Sequence, residues 1–107
     1  MNTLTEYRKP TARYRAEAMA GAWRPLGGWH MRDDGRWTCV YTLGGRVRKA
    51  RRAVIYRDRG AWVWTVEEFS LSTRAVLRTA NRSGAGVFYV SAHAAFAWAD
   101  AAARTSD

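Results

Sequence analysis

Three turn signals divide the middle of the chain, and they limit its fold more than any other feature. Asp34-Gly35 and Gly44-Gly45 are dipeptides that tolerate positive φ at both central positions, and Arg57-Asp58-Arg59-Gly60 reads as a four-residue loop. Between them lie runs rich in Trp, Tyr, Val and Ile. Strands are therefore expected over about 29–33, 36–43, 46–56 and 61–67, joined as an antiparallel meander. Val47, Ala50 and Val54 also have helical spacing, but the glycine pair and the β-branched Val54-Ile55 favour a strand.

Turn placement sets register, and register sets faces. With Asp34-Gly35 and Gly44-Gly45 as two-residue turns, His30 faces Cys39, Arg32 faces Trp37, Tyr41 faces Arg48 and Trp37 faces Arg52. The four-residue loop sets Ile55 against Trp62 and Ala53 against Trp64. One face then collects Trp29, Met31, Val40, Val47, Ala53, Ile55, Trp62, Trp64 and Val66 as a core. The other carries His30, Arg32, Trp37, Tyr41, Arg46, Arg48, Arg52 and Tyr56, with Cys39, Leu43, Val54 and Val63 among them. Lys49 and Arg51 fall on the core side, near a sheet margin, because a buried unpaired charge is costly.

Helices are expected on either side of the meander. Residues 10–23 place Ala12, Ala16, Met19 and Trp23 on one stripe, with a start at Pro10-Thr11 and a stop at residues 24–28. Residues 70–82 suit a helix with Phe69, Thr73, Val76, Leu77 and Ala80 inward and Arg74, Arg78 and Arg82 outward. After a turn over 81–86, residues 87–90 form a short strand. Ser91 then caps a helix to about Arg104, with Ala92, Ala95, Phe96, Ala99 and Ala103 facing the sheet. Residues 1–9 are expected to fray and 105–107 to be disordered. The fold class is α+β: one domain over 10–104, four meander strands and one short strand, packed by two to three helices.

Charge is unevenly placed on this frame. The 107 residues carry a formal net charge of +9. Residues 1–28 contribute +3, residues 29–59 +6, and residues 60–107 nothing. Five of the seven residues from Arg46 to Arg52 are basic. Such polarity favours an anionic partner, although charge also keeps an aromatic-rich chain in solution. Sixteen of the eighteen basic residues are Arg, whose planar guanidinium stacks on rings and grips phosphate bidentately. Together with 19 Ala, this usage resembles that of proteins from GC-rich genomes such as actinobacteria and their phages.

Chemistry is sparse. Cys39 is the sole cysteine, and with His30 and His93 it completes the soft-ligand inventory, so no metal site and no cofactor are expected. Ser91 reads as a helix cap, not as a nucleophile served by His93. Glu67-Glu68 reads as a solvated strand end, and Gly84-Ala85-Gly86 lacks the rest of a phosphate loop. A non-enzymatic protein is the expectation. The start MNTLTEYRKP has no apolar signal core, and no run of ~18 apolar residues occurs, which leads to an expected cytoplasmic location.

The segment WTCVYTLGGRVRKARRAV resembles the strand–turn–strand of the arm-type DNA-binding domains of phage integrases. SAHAAFAWADAA is similar to the helix that closes such a domain, although some forty residues separate the pieces here where that family has a short turn. The resemblance carries over no individual residues. The expected working surface is Arg32, Trp37, Tyr41, Arg46, Arg48, Lys49, Arg51 and Arg52. It would bind nucleic acid by stacking on bases and neutralising phosphates. The alternative is a Trp/Arg hot spot for a host protein or a second copy of the chain. In two further arrangements the arginines merely cover the rings, or the N-terminal helix covers the whole face.

Overall fold

The computed structural model describes residues 4–6, 10–43, 49–83, 87–89 and 92–105, with backbone alone for 4–6, 49 and 87–89. Ten elements follow in chain order. They are β1 (Leu4–Glu6), α1 (Ala12–Ala20), β2 (Trp23–Pro25), β3 (His30–Met31), β4 (Trp37–Leu43), β5 (Lys49–Asp58), β6 (Ala61–Ser70), β7 (Val76–Arg82), β8 (Val87–Tyr89) and α2 (Ala92–Thr105). The strands form one sheet in the order β1-β8-β6-β5-β4-β2, with β3 also on β4 and β7 also on β6. Every pairing is antiparallel except β1 with β8. Leu4–Glu6, in the stretch expected to fray, thus extends the sheet. Thr105 belongs to α2, and residues 106–107 lie outside the described residues. The class is α+β with two helices.

The strand registers around all three turns differ from expectation, and parity decides the consequence. The third hairpin closes on two residues, not four: Asp58 pairs with Ala61, while Arg59 (φ 54°) and Gly60 (φ 82°) take the left-handed conformation. Ile55 therefore meets Trp64 and Ala53 meets Val66. That is an even shift, so Trp62 and Trp64 keep the expected core face. The first hairpin has three loop residues, closed by Arg32 N–H to Arg36 O at 2.7 Å with Gly35 at φ 83°. His30 then opposes Thr38, not Cys39. In the second hairpin Thr42 pairs with Ala50, Tyr41 with Arg51 and Cys39 with Ala53. This departs from a Gly44-Gly45 two-residue turn by three positions, although residues 44–48 themselves lie outside the described residues. An odd shift exchanges faces. Trp37, Cys39 and Tyr41 consequently join Ala53, Ile55, Trp64 and Val66 in the core, while Val40 moves to the opposite face. Met31 is exposed, and Val47 lies outside the described residues.

The helix expected over 70–82 is instead a turn followed by β7. Ser70, Ser72 and Thr73 bond one another and the local backbone: Ser70 Oγ accepts from Thr73 N–H at 3.3 Å. Arg74, at φ 61°, then reverses the chain toward β6. Hydroxyls that satisfy nearby backbone groups compete with a helical turn, and the edge of β6 offers a ladder in its place.

α2 lies across β5 and β6, and α1 packs on α2. Six buried alanines, including Ala95, Ala99 and Ala103, bring α2 close to the sheet. α1 begins at Thr11, whose side chain accepts Tyr14 N–H at 3.1 Å. Ala18 is its buried residue, with Tyr14 and the C-cap Gly21 half-buried; the expected Ala12, Ala16 and Met19 are exposed, and the expected Trp23 lies beyond the helix in β2. Tyr14 meets Trp98 and shares a 3.1 Å hydroxyl bond with Thr105. Gly21 approaches so closely that a Cβ there would stand 2.6 Å from the Arg104 carbonyl oxygen.

Candidate functional site

The register separates the expected working surface into two unlike environments. Tyr41 is fully buried under α2, and its hydroxyl donates to Asp100 Oδ1 at 2.6 Å. Burial, reinforced by that bond, pushes its phenol above the ordinary tyrosine range. Trp37 is half-buried edge-on to Phe96, at 5.5 Å between ring centroids, with Trp29 on the same ring at 4.7 Å. Trp37 and Tyr41, expected on an arginine-bearing surface, are thus covered by a helix, and the helix is α2, not the N-terminal one. Cys39 lies beside them, where burial pushes its thiol up.

Arg51 is on the core side, as its parity requires, and although it stands only two residues from the start of β5 it is buried. Its side chain is 2% exposed. Glu68 solves the charge problem, accepting Arg51 Nε at 3.3 Å and Nη2 at 3.1 Å. Arg51 Nη1 donates to Ala103 O at 3.1 Å, and the guanidinium lies 4.2 Å from the Trp23 ring centre. Arg78 donates to the same carboxylate at 3.1 and 2.8 Å. The Arg78 bonds hold Glu68 below the usual carboxylate range against the opposing effect of burial, and Arg51 adds to them. Arg51-Arg52 stands opposite Glu67-Glu68 across β5 and β6. That complementarity is visible in the sequence once the turn is read as two residues.

The opposite face of the sheet carries no described helix, since both helices lie on the other side. Its occupants include Val40, Arg52, Tyr56, Val63, Glu67 and Phe69, each half-buried, and the buried Val54. Two aromatic rings there are each capped by a guanidinium: Arg36 lies 4.7 Å over Tyr56, and Arg52 lies 5.4 Å over Phe69. Arg52 Nη2 also donates to Glu67 at 2.9 Å, while its buried Nε has no partner among the described residues. A hollow of about 350 Å³ opens at this point, lined by Val40, Arg52, Phe69, Leu71 and Arg74. Arg74, in the left-handed conformation, adds a third basic side chain to this region after Arg36 and Arg52. Tyr56 and Phe69 sit six residue steps apart along the strands, about 20 Å at ~3.3 Å per residue.

Of the expected surface, then, Arg52 lies on this open face. Arg32 is exposed in the β3–β4 turn, paired with Asp34 at 3.3 Å. Arg46 and Arg48 fall outside the described residues, as does the Lys49 side chain. Tyr56 shares this face with Arg52 as expected, whereas Phe69 and Arg74, expected on a helix, arrive here through β6 and the turn after it. Among the described residues no three potential metal ligands come together, and no helix is long and apolar enough to cross a membrane. Comparison of the chain with models of known families, with characterised proteins and with solved structures finds no match.

Proposed function

We propose that this chain is a small non-enzymatic binding protein that holds single-stranded nucleic acid across its open sheet face. The observation that carries the reading is the pair of arginine-capped rings, Tyr56 under Arg36 and Phe69 under Arg52, beside the hollow rimmed by Arg74. Aromatic rings and guanidinium planes both stack on unpaired bases, and arginine also neutralises phosphate. The long separation of the rings suits an extended strand crossing the sheet. The net charge of +9 adds the long-range attraction.

The test is fluorescence anisotropy with labelled single-stranded and duplex oligonucleotides of random sequence at two salt concentrations. The single strand is expected to bind more tightly, and affinity to fall steeply with salt. Phe69→Ala should cost about 1–3 kcal/mol of binding, the worth of one stacked base. Arg74→Glu should weaken binding far more than Arg15→Glu on the exposed side of α1. Equal losses from Arg74→Glu and Arg15→Glu would mean diffuse attraction and would defeat the proposal.

One observation favours a second reading. Leu71, in the turn before β7, and Val76 and Leu77, at its start, are large apolar residues exposed to solvent. A protein partner seated there would bind with little dependence on salt, and on that reading the oligonucleotides would bind only weakly and without preference for the single strand.

A further inference from the structure

On the helix-covered side of the sheet, a cavity of about 390 Å³ opens between the segment 25–29 and α2. Its size falls within the range of small-molecule pockets, and its make-up follows their pattern of aromatic walls with few polar groups. Trp29 and Phe96, packed edge to face, form the apolar part. Cys39, Asp100 and Arg104 supply the polar groups, with the exposed His93 also lining the space. On α2 the lining residues His93, Phe96, Ala97, Asp100 and Arg104 follow a single stripe, so Arg104 closes one end of it.

Arg104 is the unusual member. Its side chain is 11% exposed, and Nε donates to Asp100 Oδ1 at 3.2 Å and Oδ2 at 3.1 Å. Among the described residues, no protein group accepts from its two terminal amino groups. Neither amino group is shut off from solvent, so both are free to take an acceptor that enters the cavity. Asp100 does not repel such an acceptor strongly, because its charge is met by Arg104 and one oxygen also takes the Tyr41 hydroxyl. The planar fork of a guanidinium matches the two oxygens of a carboxylate.

We infer that this cavity binds a small aromatic carboxylate, its ring against Trp29 and Phe96 and its carboxylate on the terminal amino groups of Arg104. The site is separate from the open sheet face and does not rest on nucleic-acid binding.

The probe is 2-naphthoate, titrated into the full chain while the indole N–H resonance of Trp29 is followed by NMR and assigned through Trp29→Phe. The expected result is a saturable shift of that resonance by the acid. Methyl 2-naphthoate, which keeps the ring and loses the charge, should bind about tenfold or more weakly. Inorganic phosphate alone should leave the resonance in place, and Arg104→Gln should remove the preference for acid over ester. Equal affinity for acid and ester, a shift produced equally by phosphate, or no saturable shift at millimolar acid would each overturn the inference. Should Arg104→Gln fail to fold, the comparison of acid, ester and phosphate on the unaltered chain decides alone.

Discussion

Replacing Glu68 by glutamine tests the central argument about the core. Its carboxylate accepts four hydrogen bonds, two from Arg51 and two from Arg78. The Arg51 side chain has almost no access to water, so losing that carboxylate leaves a guanidinium charge in the sheet interior without the counter-charge it bonds. Breaking a buried pair in this way costs about 3–5 kcal/mol, a large share of the roughly 5–15 kcal/mol that holds a domain folded. Glu67→Gln is the matched control one residue away. Its pair with Arg52 is 2.9 Å long but about a quarter to a third exposed, which limits the loss to about 0–1 kcal/mol. Urea unfolding of the two variants should therefore give midpoints well apart with similar slopes. The double replacement Arg51→Met, Glu68→Leu should recover most of the lost stability, since well-packed apolar residues can replace a buried ion pair. If Glu68→Gln proves no costlier than Glu67→Gln, the description of Arg51 as a buried charge dependent on Glu68 is wrong.

The same carboxylate predicts a pH dependence. Its folded-state pKa is lowered, so its contribution is complete above the unfolded value of about 4.3 and is lost as pH falls through the folded one. Thermal melts of the wild type should decline between pH 5 and strong acid more than those of Glu68→Gln; parallel declines would refute this. Tyr41→Phe removes the buried hydroxyl bond to Asp100 and should cost about 1.5–3 kcal/mol by urea unfolding, with no change in nucleic-acid affinity. Gly21→Ala forces a methyl group against the Arg104 carbonyl and should lower stability by about 1–3 kcal/mol, whereas Gly28→Ala, with open space around it, should stay close to wild type. Trp64→Ala should cost about 3–5 kcal/mol, and Trp37→Ala should also destabilise measurably, because α2 covers both rings.

The local chemistry of this chain was legible before any tertiary contact was known. Thr11 and Gly21 bound a short helix, the alanine-rich segment after residue 91 forms a longer one, and β4, β5 and β6 lie close to where alternating aromatic and β-branched residues put them. These features depend on caps, turn residues and periodicity, which act over a few positions. The faces of the sheet did not follow from such local signals. A side chain's face depends on the parity of hairpin registers, and each of the three hairpins pairs its strands in a register different from the one its turn residues suggest. The even shift at Arg59-Gly60 left Trp64 in the core, while the odd shift between β4 and β5 carried Tyr41 and Trp37 beneath α2. What chose those registers lies at long range: Arg51 meeting Glu68, Arg52 meeting Glu67, and Tyr41 reaching Asp100 some sixty residues away. Residues 76–82 became a strand for the same reason, since the edge of β6 satisfies backbone groups that a local helical pattern cannot weigh. The basic run was plain in the sequence. Which of its arginines faces water and which holds the core together was decided only by the pairing of distant charges.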